Sequence, residues 1–127
     1  MPAWKSERVF KTAWFAKAAR KALIGDDELC SATRQVMLGQ ADDLGGGVFK
    51  KRLSQNQSRS IILAKGGVYW VYEYLFAKKD RDNIELNELI KFRKLAKIYE
   101  LLTSQQVDEL IGNKWWMEVC NDEAAQI

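Results

Sequence analysis

The chain has 127 residues, of which 47% are hydrophobic, and it carries a formal net charge of +3. That length fits one domain, which we expect over residues 1–127, and no apolar run of about 18 residues is present to cross a membrane. Histidine is absent, which excludes the commonest general acid–base and metal-ligating side chain. Because the N-terminal residues lack the apolar core of a secretory signal, we expect a cytoplasmic protein.

The two cysteines, Cys30 and Cys120, are far apart and belong to no CxxC pattern. In a cytoplasmic chain this spacing favours neither a disulfide nor a zinc site. The sequence therefore predicts two buried free thiols.

The N-terminal third predicts a short strand followed by a helical hairpin. The strand covers residues 8–11, and Thr12 can cap a first helix that Gly25 stops. A second helix begins at Asp26 or Asp27 and ends near residue 39. The first helix has apolar residues at helical spacing, which predicts one buried face: Trp14, Phe15, Ala18, Ala19, Ala22 and Leu23.

The middle of the chain predicts a three-stranded antiparallel meander. The glycine triplet 45–47 shapes the start of its first strand, and it lacks the Gly-Lys-Ser/Thr ending of a phosphate-binding loop. The third strand is rich in β-branched and aromatic residues. The strands fall at 48–53, 59–65 and 68–76, joined by a polar loop at 54–58 and a glycine turn at 66–67.

The C-terminal third predicts a long amphipathic helix, with Asp82 or Asn83 available to cap it. A T-x-x-Q pattern from Thr103 predicts a short helix to about Ile111, and residues 115–119 predict a last strand. Helices beside an antiparallel sheet give an α+β fold class. The long helix has its apolar face at Leu86, Leu89, Phe92, Leu95, Ala96, Tyr99 and Leu102.

Positive charge is concentrated in one part of the chain. Residues 50–97 contain twelve basic and five acidic residues, a net +7, which leaves −4 for the remainder. This asymmetry indicates a polyanionic partner on one face. For the lysines between 91 and 97, a solvated helix surface is the alternative interpretation.

The basic residues of the meander can converge on one patch. Period two places Lys50 and Arg52 on one face of the first strand, and Lys51 on the other. Arg59 begins the second strand, and three more cations follow the third. Aromatic residues 72, 74 and 76 alternate along the third strand, so they share a face that either packs in the core or stacks bases.

Such a patch can equip a ribonuclease that uses neither histidine nor metal. The reaction needs a base for the 2′-hydroxyl, cations around the phosphate and an acid for the leaving oxygen. A lysine crowded by other cations has a lowered pKa and can serve as the base. Several guanidinium groups can stabilise the charge of the transition state.

The ordered segments LGGGVFKKRL, SRSIIL, FAKKDRDNI and ELIKFRKLA resemble the RelE/HigB toxins of bacterial type II toxin–antitoxin modules. The resemblance implies a RelE/ParE-like fold, with an N-terminal helical hairpin and a long C-terminal helix on a small antiparallel sheet. It also implies an enzyme without a cofactor that cleaves mRNA on the ribosome by 2′-hydroxyl attack and so inhibits translation. The implied partner is a cognate antitoxin, often a helix-turn-helix protein.

The resemblance also implies roles for individual residues. Lys50 matches the general base, Arg52 and Arg59 match the arginines that hold the phosphate, and Lys79 matches the general acid. The chain departs from the family in its serine- and glutamine-containing loop at 54–58, and in Glu85, where an orienting tyrosine is expected. The residues we expect to bind substrate are Lys51, Tyr74, Phe76, Lys78 and Arg81.

Two other functions fit the same sequence. A ParE-like toxin has this scaffold but inhibits DNA gyrase without cleaving RNA, and the full basic set argues against it. A nucleic-acid-binding module without chemistry would show steeply salt-dependent binding and no cleavage.

Overall fold

A computed structural model describes residues 7–120. Six strands form one sheet in the order β2-β3-β4-β5-β1-β6. All neighbours are antiparallel except β1 and β5, which are parallel. The elements are β1 (Arg8–Thr12), α1 (Ala13–Lys21), α2 (Asp26–Met37), β2 (Asp42–Gly45), β3 (Val48–Leu53), β4 (Ser58–Lys65), β5 (Tyr69–Ala77), α3 (Leu86–Glu100), α4 (Ser104–Gly112) and β6 (Trp116–Val119).

Helices cover both faces of the sheet, which confirms the α+β class. On one face α1 and α2 pack over a core that contains Phe15, Leu29, Ile62 and Tyr72. The Tyr72 hydroxyl donates to the Leu29 carbonyl oxygen at 2.7 Å and so ties β5 to α2. On the other face α3 and α4 pack over two smaller clusters. No helix within residues 7–120 is long and apolar enough to cross a bilayer.

The capping predictions are confirmed for two helices and wrong for a third. Thr12 caps α1, because its Oγ1 accepts from the Phe15 amide at 3.1 Å, and Thr103 caps α4. The long helix α3 begins after Glu85, whose amide donates to the Glu88 carboxylate at 2.8 Å. The predicted caps, Asp82 and Asn83, lie three and two residues before the N-cap position, which Glu85 occupies.

The predicted apolar face of α1 includes two residues that are exposed. Leu23 follows the helix with a left-handed φ of 60°, and 92% of its surface is exposed. Trp14 is 52% exposed and stacks on Tyr74, with ring centroids 5.1 Å apart and planes 24° apart. Leu86, which was predicted on the apolar face of α3, is exposed at the first turn of that helix.

A β-bulge separates aromatic residues that were expected to share a face of β5. Ile61 pairs with Tyr74 and Ile62 pairs with Tyr72, so Glu73 is an extra residue on β5. An extra residue reverses the alternation of side chains along a strand. Tyr72 is therefore buried under α1 and α2, whereas Tyr74 and Phe76 belong to the α3 side of the sheet.

A disulfide joins Cys30 and Cys120, so the prediction of two free thiols is wrong. Cys30 lies in α2, and Cys120 directly follows β6. Because β6 runs antiparallel to β1 at the edge of the sheet, its end reaches α2, and the two Cα atoms are 5.2 Å apart. A separation of 90 residues in the chain gives no sign of this contact.

The glycine triplet forms a tight hairpin turn between β3 and β2, a strand that the sequence did not predict. Gly46 and Gly47 have φ values of 67° and 84°, a combination suited to the twist of a two-residue hairpin. A Cβ at Gly47 would lie 3.1 Å from the Ala64 carbonyl oxygen and 3.4 Å from the Ala96 Cβ. The turn therefore needs glycine both for its backbone angles and for its contact with α3.

Gly47→Ala is expected to lower the free energy of unfolding by about 1–3 kcal/mol, because it combines a left-handed φ with a backbone clash. Gly66→Ala is the matched control, since a Cβ there meets nothing within 4 Å. Urea unfolding of both variants checks the prediction. Equal midpoints for the two variants would contradict the role assigned to Gly47.

Candidate functional site

Two rows of side chains cross β3, β4 and β5 on the face that α3 covers. Neighbouring strands are about 4.8 Å apart, so side chains within a row share one surface. The register of the sheet brings three predicted site residues onto this face, one lysine and two arginines. In register, these two rows, the basic rows, are Lys50–Ile61–Tyr74 and Arg52–Arg59–Phe76.

Arg59 is buried, with 6% of its surface exposed. Its guanidinium donates to the carbonyl oxygens of Asn56 and Ser58, at 2.9 and 3.3 Å. The polar loop before β4 therefore holds Arg59 in position with main-chain oxygens. This gives the loop at 54–58 a structural task that does not depend on glycine.

Arg59 and Arg52 have no direct ion-pair partner among residues 7–120. The two arginines are directly opposite each other on β3 and β4. Like charges opposite each other destabilise a sheet, and a buried charge without a counter-charge costs more. A bound anion would relieve both penalties.

Lys50 belongs to the neighbouring row, two residues before Arg52 on β3. Its Nζ is 3.5 Å from the Asp42 carboxylate on β2, and 15% of its side chain is exposed. Both basic residues, together with Asp42 and Gln40, line a depression of about 280 Å³. Solvent therefore reaches the lysine from the side of β2.

Arg81 lies at the end of this face and is held by α3. Its guanidinium is 5.4 Å from the centre of the Phe76 ring and forms a two-point ion pair with Glu88. The hydrogen bond from Arg81 lowers the pKa of the Glu88 carboxyl. Glu88 is thus the partner of the Arg81 guanidinium, which we had expected to bind substrate.

Lys51 lies on the opposite face of β3, as its alternation predicted. Its Nζ donates to the Gln40 carbonyl oxygen at 2.8 Å. Burial, and secondarily the charge of Arg52, lower the pKa of Lys51. Lys51, the lysine with the lowered pKa, therefore lies beside the basic rows rather than within them, and its Nζ is hydrogen-bonded to a main-chain oxygen.

Lys78 and Lys79 are exposed in the turn after β5. The Lys78 amide donates to the Gln57 carbonyl oxygen at 2.9 Å, which fixes the turn against the polar loop. Lys79 lines a groove beside α1, together with Trp14 and Phe76. Neither lysine lines the depression that contains Lys50 and Arg52.

Residues 7–119 match the family model of the RelE toxin of the RelE/RelB toxin–antitoxin system. The chain belongs to the RelE toxin family. A RelE-family toxin has a cognate antitoxin, and the six-stranded sheet with four helices fits the RelE-like fold. No curated protein and no solved structure gave a significant match.

Three residues near the basic rows of this RelE-family toxin were not singled out from the sequence. Asp42 and Glu88 supply the carboxylates that pair with Lys50 and Arg81. Trp14 supplies an exposed ring that extends the aromatic residues of β5. The sequence contains a signal only for Trp14, because Lys17 and Lys21 follow it at helical spacing. Asp42 and Glu88 meet their basic partners only in the folded structure, so no local pattern indicates them.

Proposed function

We propose that this RelE-family toxin is a ribosome-dependent mRNA endonuclease that inhibits translation in the cytoplasm. The observation that carries the proposal is the opposed pair Arg52 and Arg59, which forms no ion pair with a carboxylate within residues 7–120 and lies beside Lys50. Such a pair is suited to a phosphate, because guanidinium groups bind phosphate oxygens in a two-point geometry.

In the proposed reaction, Lys50 accepts the proton of a ribose 2′-hydroxyl. The 2′-oxygen attacks the adjacent phosphorus, and the bond from phosphorus to the 5′-oxygen breaks. Lys79 donates a proton to that leaving oxygen, and Arg52 and Arg59 stabilise the charge on the phosphate. The products are a 2′,3′-cyclic phosphate and a 5′-hydroxyl, and the chemistry uses no cofactor.

The aromatic residues and the remaining cations bind the substrate in this proposal. Tyr74 and Phe76 are adjacent, with ring centroids 5.8 Å apart. Phe76 is buried, so in this proposal Tyr74 stacks a base next to the scissile phosphate and Phe76 supports its ring. Lys78 and Arg81 add positive charge at the end of β5, and Lys51 adds it beside Arg52, in the depression at the β2 edge. For the antitoxin we propose a helix-turn-helix protein of the HigB branch of these modules.

Mapping RNA 5′ ends after brief induction tests the proposal. We expect new ends inside coding regions with the wild type and none with Lys50→Ala. Lys94→Ala, an exposed lysine on α3, is the control and should cut like the wild type. DNA breaks without new RNA ends would instead favour a ParE-like gyrase inhibitor, and salt-sensitive RNA binding without cleavage would favour a binding module.

Glu88→Gln is expected to strengthen binding of a short RNA roughly two- to five-fold, because it releases Arg81 and removes a negative charge near the substrate. Glutamine can still accept the Glu85 amide, so the start of α3 is kept. Glu100→Gln makes the same charge change at the far end of α3 and should leave affinity unchanged. Equal affinities for wild type and Glu88→Gln, measured by fluorescence anisotropy, would rule out competition between Glu88 and RNA.

A further inference from the structure

A basic groove with an aromatic wall lies between α1 and the end of β5. Its volume is about 650 Å³, and its walls include Trp14, Lys17, Lys21, Phe76 and Lys79. The three lysines are exposed. The functional roles proposed above use only the Phe76 and Lys79 side of the groove.

The topology of the sheet explains why the groove forms. β1 pairs with β5 only as far as Tyr72, and the chain then turns at Thr12 into α1. The continuation of β5 therefore has a free edge, and the first turn of α1 packs Trp14 against Tyr74 there. Because residues 14, 17 and 21 are three and four positions apart, α1 presents them on one side.

The groove continues directly from the proposed active site. Trp14 stacks on Tyr74, and Tyr74 contacts Phe76, with ring centroids 5.1 and 5.8 Å apart. Phe76 is in register with Arg59 and lies under the guanidinium of Arg81. Phe76 is buried and Tyr74 is partly buried, whereas Trp14 is 52% exposed. The two inner rings therefore support Trp14, which is the ring that a strand of nucleic acid can reach.

The chemistry of the groove favours single-stranded nucleic acid over an apolar partner. Among the described residues, three lysines and one acidic residue, Asp80, line the groove. Trp14 offers a large flat surface of which about half is exposed. Aromatic platforms flanked by cations are how proteins hold unpaired bases and their phosphates.

We propose that this groove binds the nucleotides that flank the scissile phosphate of single-stranded RNA, with a base on Trp14 and phosphates on Lys17 and Lys21. The proposal rests on the proposed RNase function and adds a second, non-catalytic part to its substrate site. It predicts that affinity rises with RNA length beyond the nucleotides that the basic rows hold.

Fluorescence anisotropy with 2′-O-methyl RNA, which lacks the nucleophile, tests this prediction. The wild type should bind a nine-nucleotide RNA at least about ten-fold more tightly than a three-nucleotide RNA. Trp14→Ala should weaken the nine-nucleotide RNA about ten-fold, the size expected for one lost stacking contact, and leave the three-nucleotide RNA unchanged. Trp14→Phe, which keeps a ring, should retain most of the affinity and shows that the fold is intact.

The lysines are tested by salt dependence. The double variant Lys17→Gln/Lys21→Gln should reduce the slope of log affinity against log salt by about 1.4, since each phosphate contact to a single strand contributes about 0.7. The double variant Lys94→Gln/Lys97→Gln, with the same charge change on the exposed side of α3, should keep the slope of the wild type.

Several results would contradict the groove proposal and leave the proposed RNase function unaffected. One is that Trp14→Ala and Lys17→Gln/Lys21→Gln both bind the nine-nucleotide RNA as tightly as the wild type. A second is that the wild type binds short and long RNA equally well. A third is that the two variants lose affinity for an acidic protein partner but not for RNA. Conversely, if binding depends on RNA length and on Trp14 but no new RNA ends form in cells, the groove proposal is supported and the proposed RNase function is contradicted.

Discussion

Arg59→Ala is expected to lower RNA cleavage by about 100- to 1,000-fold and to abolish growth arrest on induction. The magnitude is that of removing one preorganised donor from a charge-stabilising site. Arg59 is buried, and main-chain oxygens of the polar loop hold it opposite Arg52. Because its position is fixed before substrate binds, its loss removes stabilisation that Arg52 alone cannot replace.

Two comparisons separate catalysis from folding at this position. Arg59→Lys keeps the charge but loses the planar fork, so we expect an intermediate rate. Arg20→Ala removes an exposed arginine from α1 and should leave growth arrest intact. An Arg59→Ala protein that unfolds at the wild-type temperature and still arrests growth fully would remove Arg59 from the mechanism.

Reduction of the Cys30–Cys120 disulfide is expected to lower the free energy of unfolding by about 2–4 kcal/mol. The bond closes a large loop, since 90 residues separate the cysteines, and long loops restrict the unfolded chain most. It also fastens the edge strand β6 to α2. Cytoplasmic reductants keep thiols reduced, so the stability of the toxin should depend on the redox state around it.

Urea unfolding with and without dithiothreitol measures this effect. The double variant Cys30→Ser/Cys120→Ser should unfold at the midpoint of the reduced wild type and should not respond to the reductant. A wild type whose midpoint is the same in both conditions would show that the disulfide contributes nothing to stability.

Local patterns were sufficient to predict the four helices and five of the six strands, all except β2. Thr12 and Thr103 act through neighbours three residues away, so their capping roles are visible in the chain. The alternation of Lys50, Lys51 and Arg52 similarly predicted which side chains share a face.

Features that depend on tertiary structure could not be predicted in this way. The bulge at Glu73 inverts the alternation of β5, and no residue type announces it. Strand β2 is short and half acidic, and it exists because β3 pairs with it. The ion pair between Arg81 and Glu88 and the disulfide depend on how distant elements pack.

Cleavage of a defined mRNA by the purified toxin, with and without programmed ribosomes, tests the central claim most directly. We predict cuts only when ribosomes are present, products that end in a 2′,3′-cyclic phosphate and a 5′-hydroxyl, and no cuts by Arg59→Ala. Intact mRNA on ribosomes incubated with folded wild-type toxin would contradict the proposal, and so would equal cutting by wild type and Arg59→Ala.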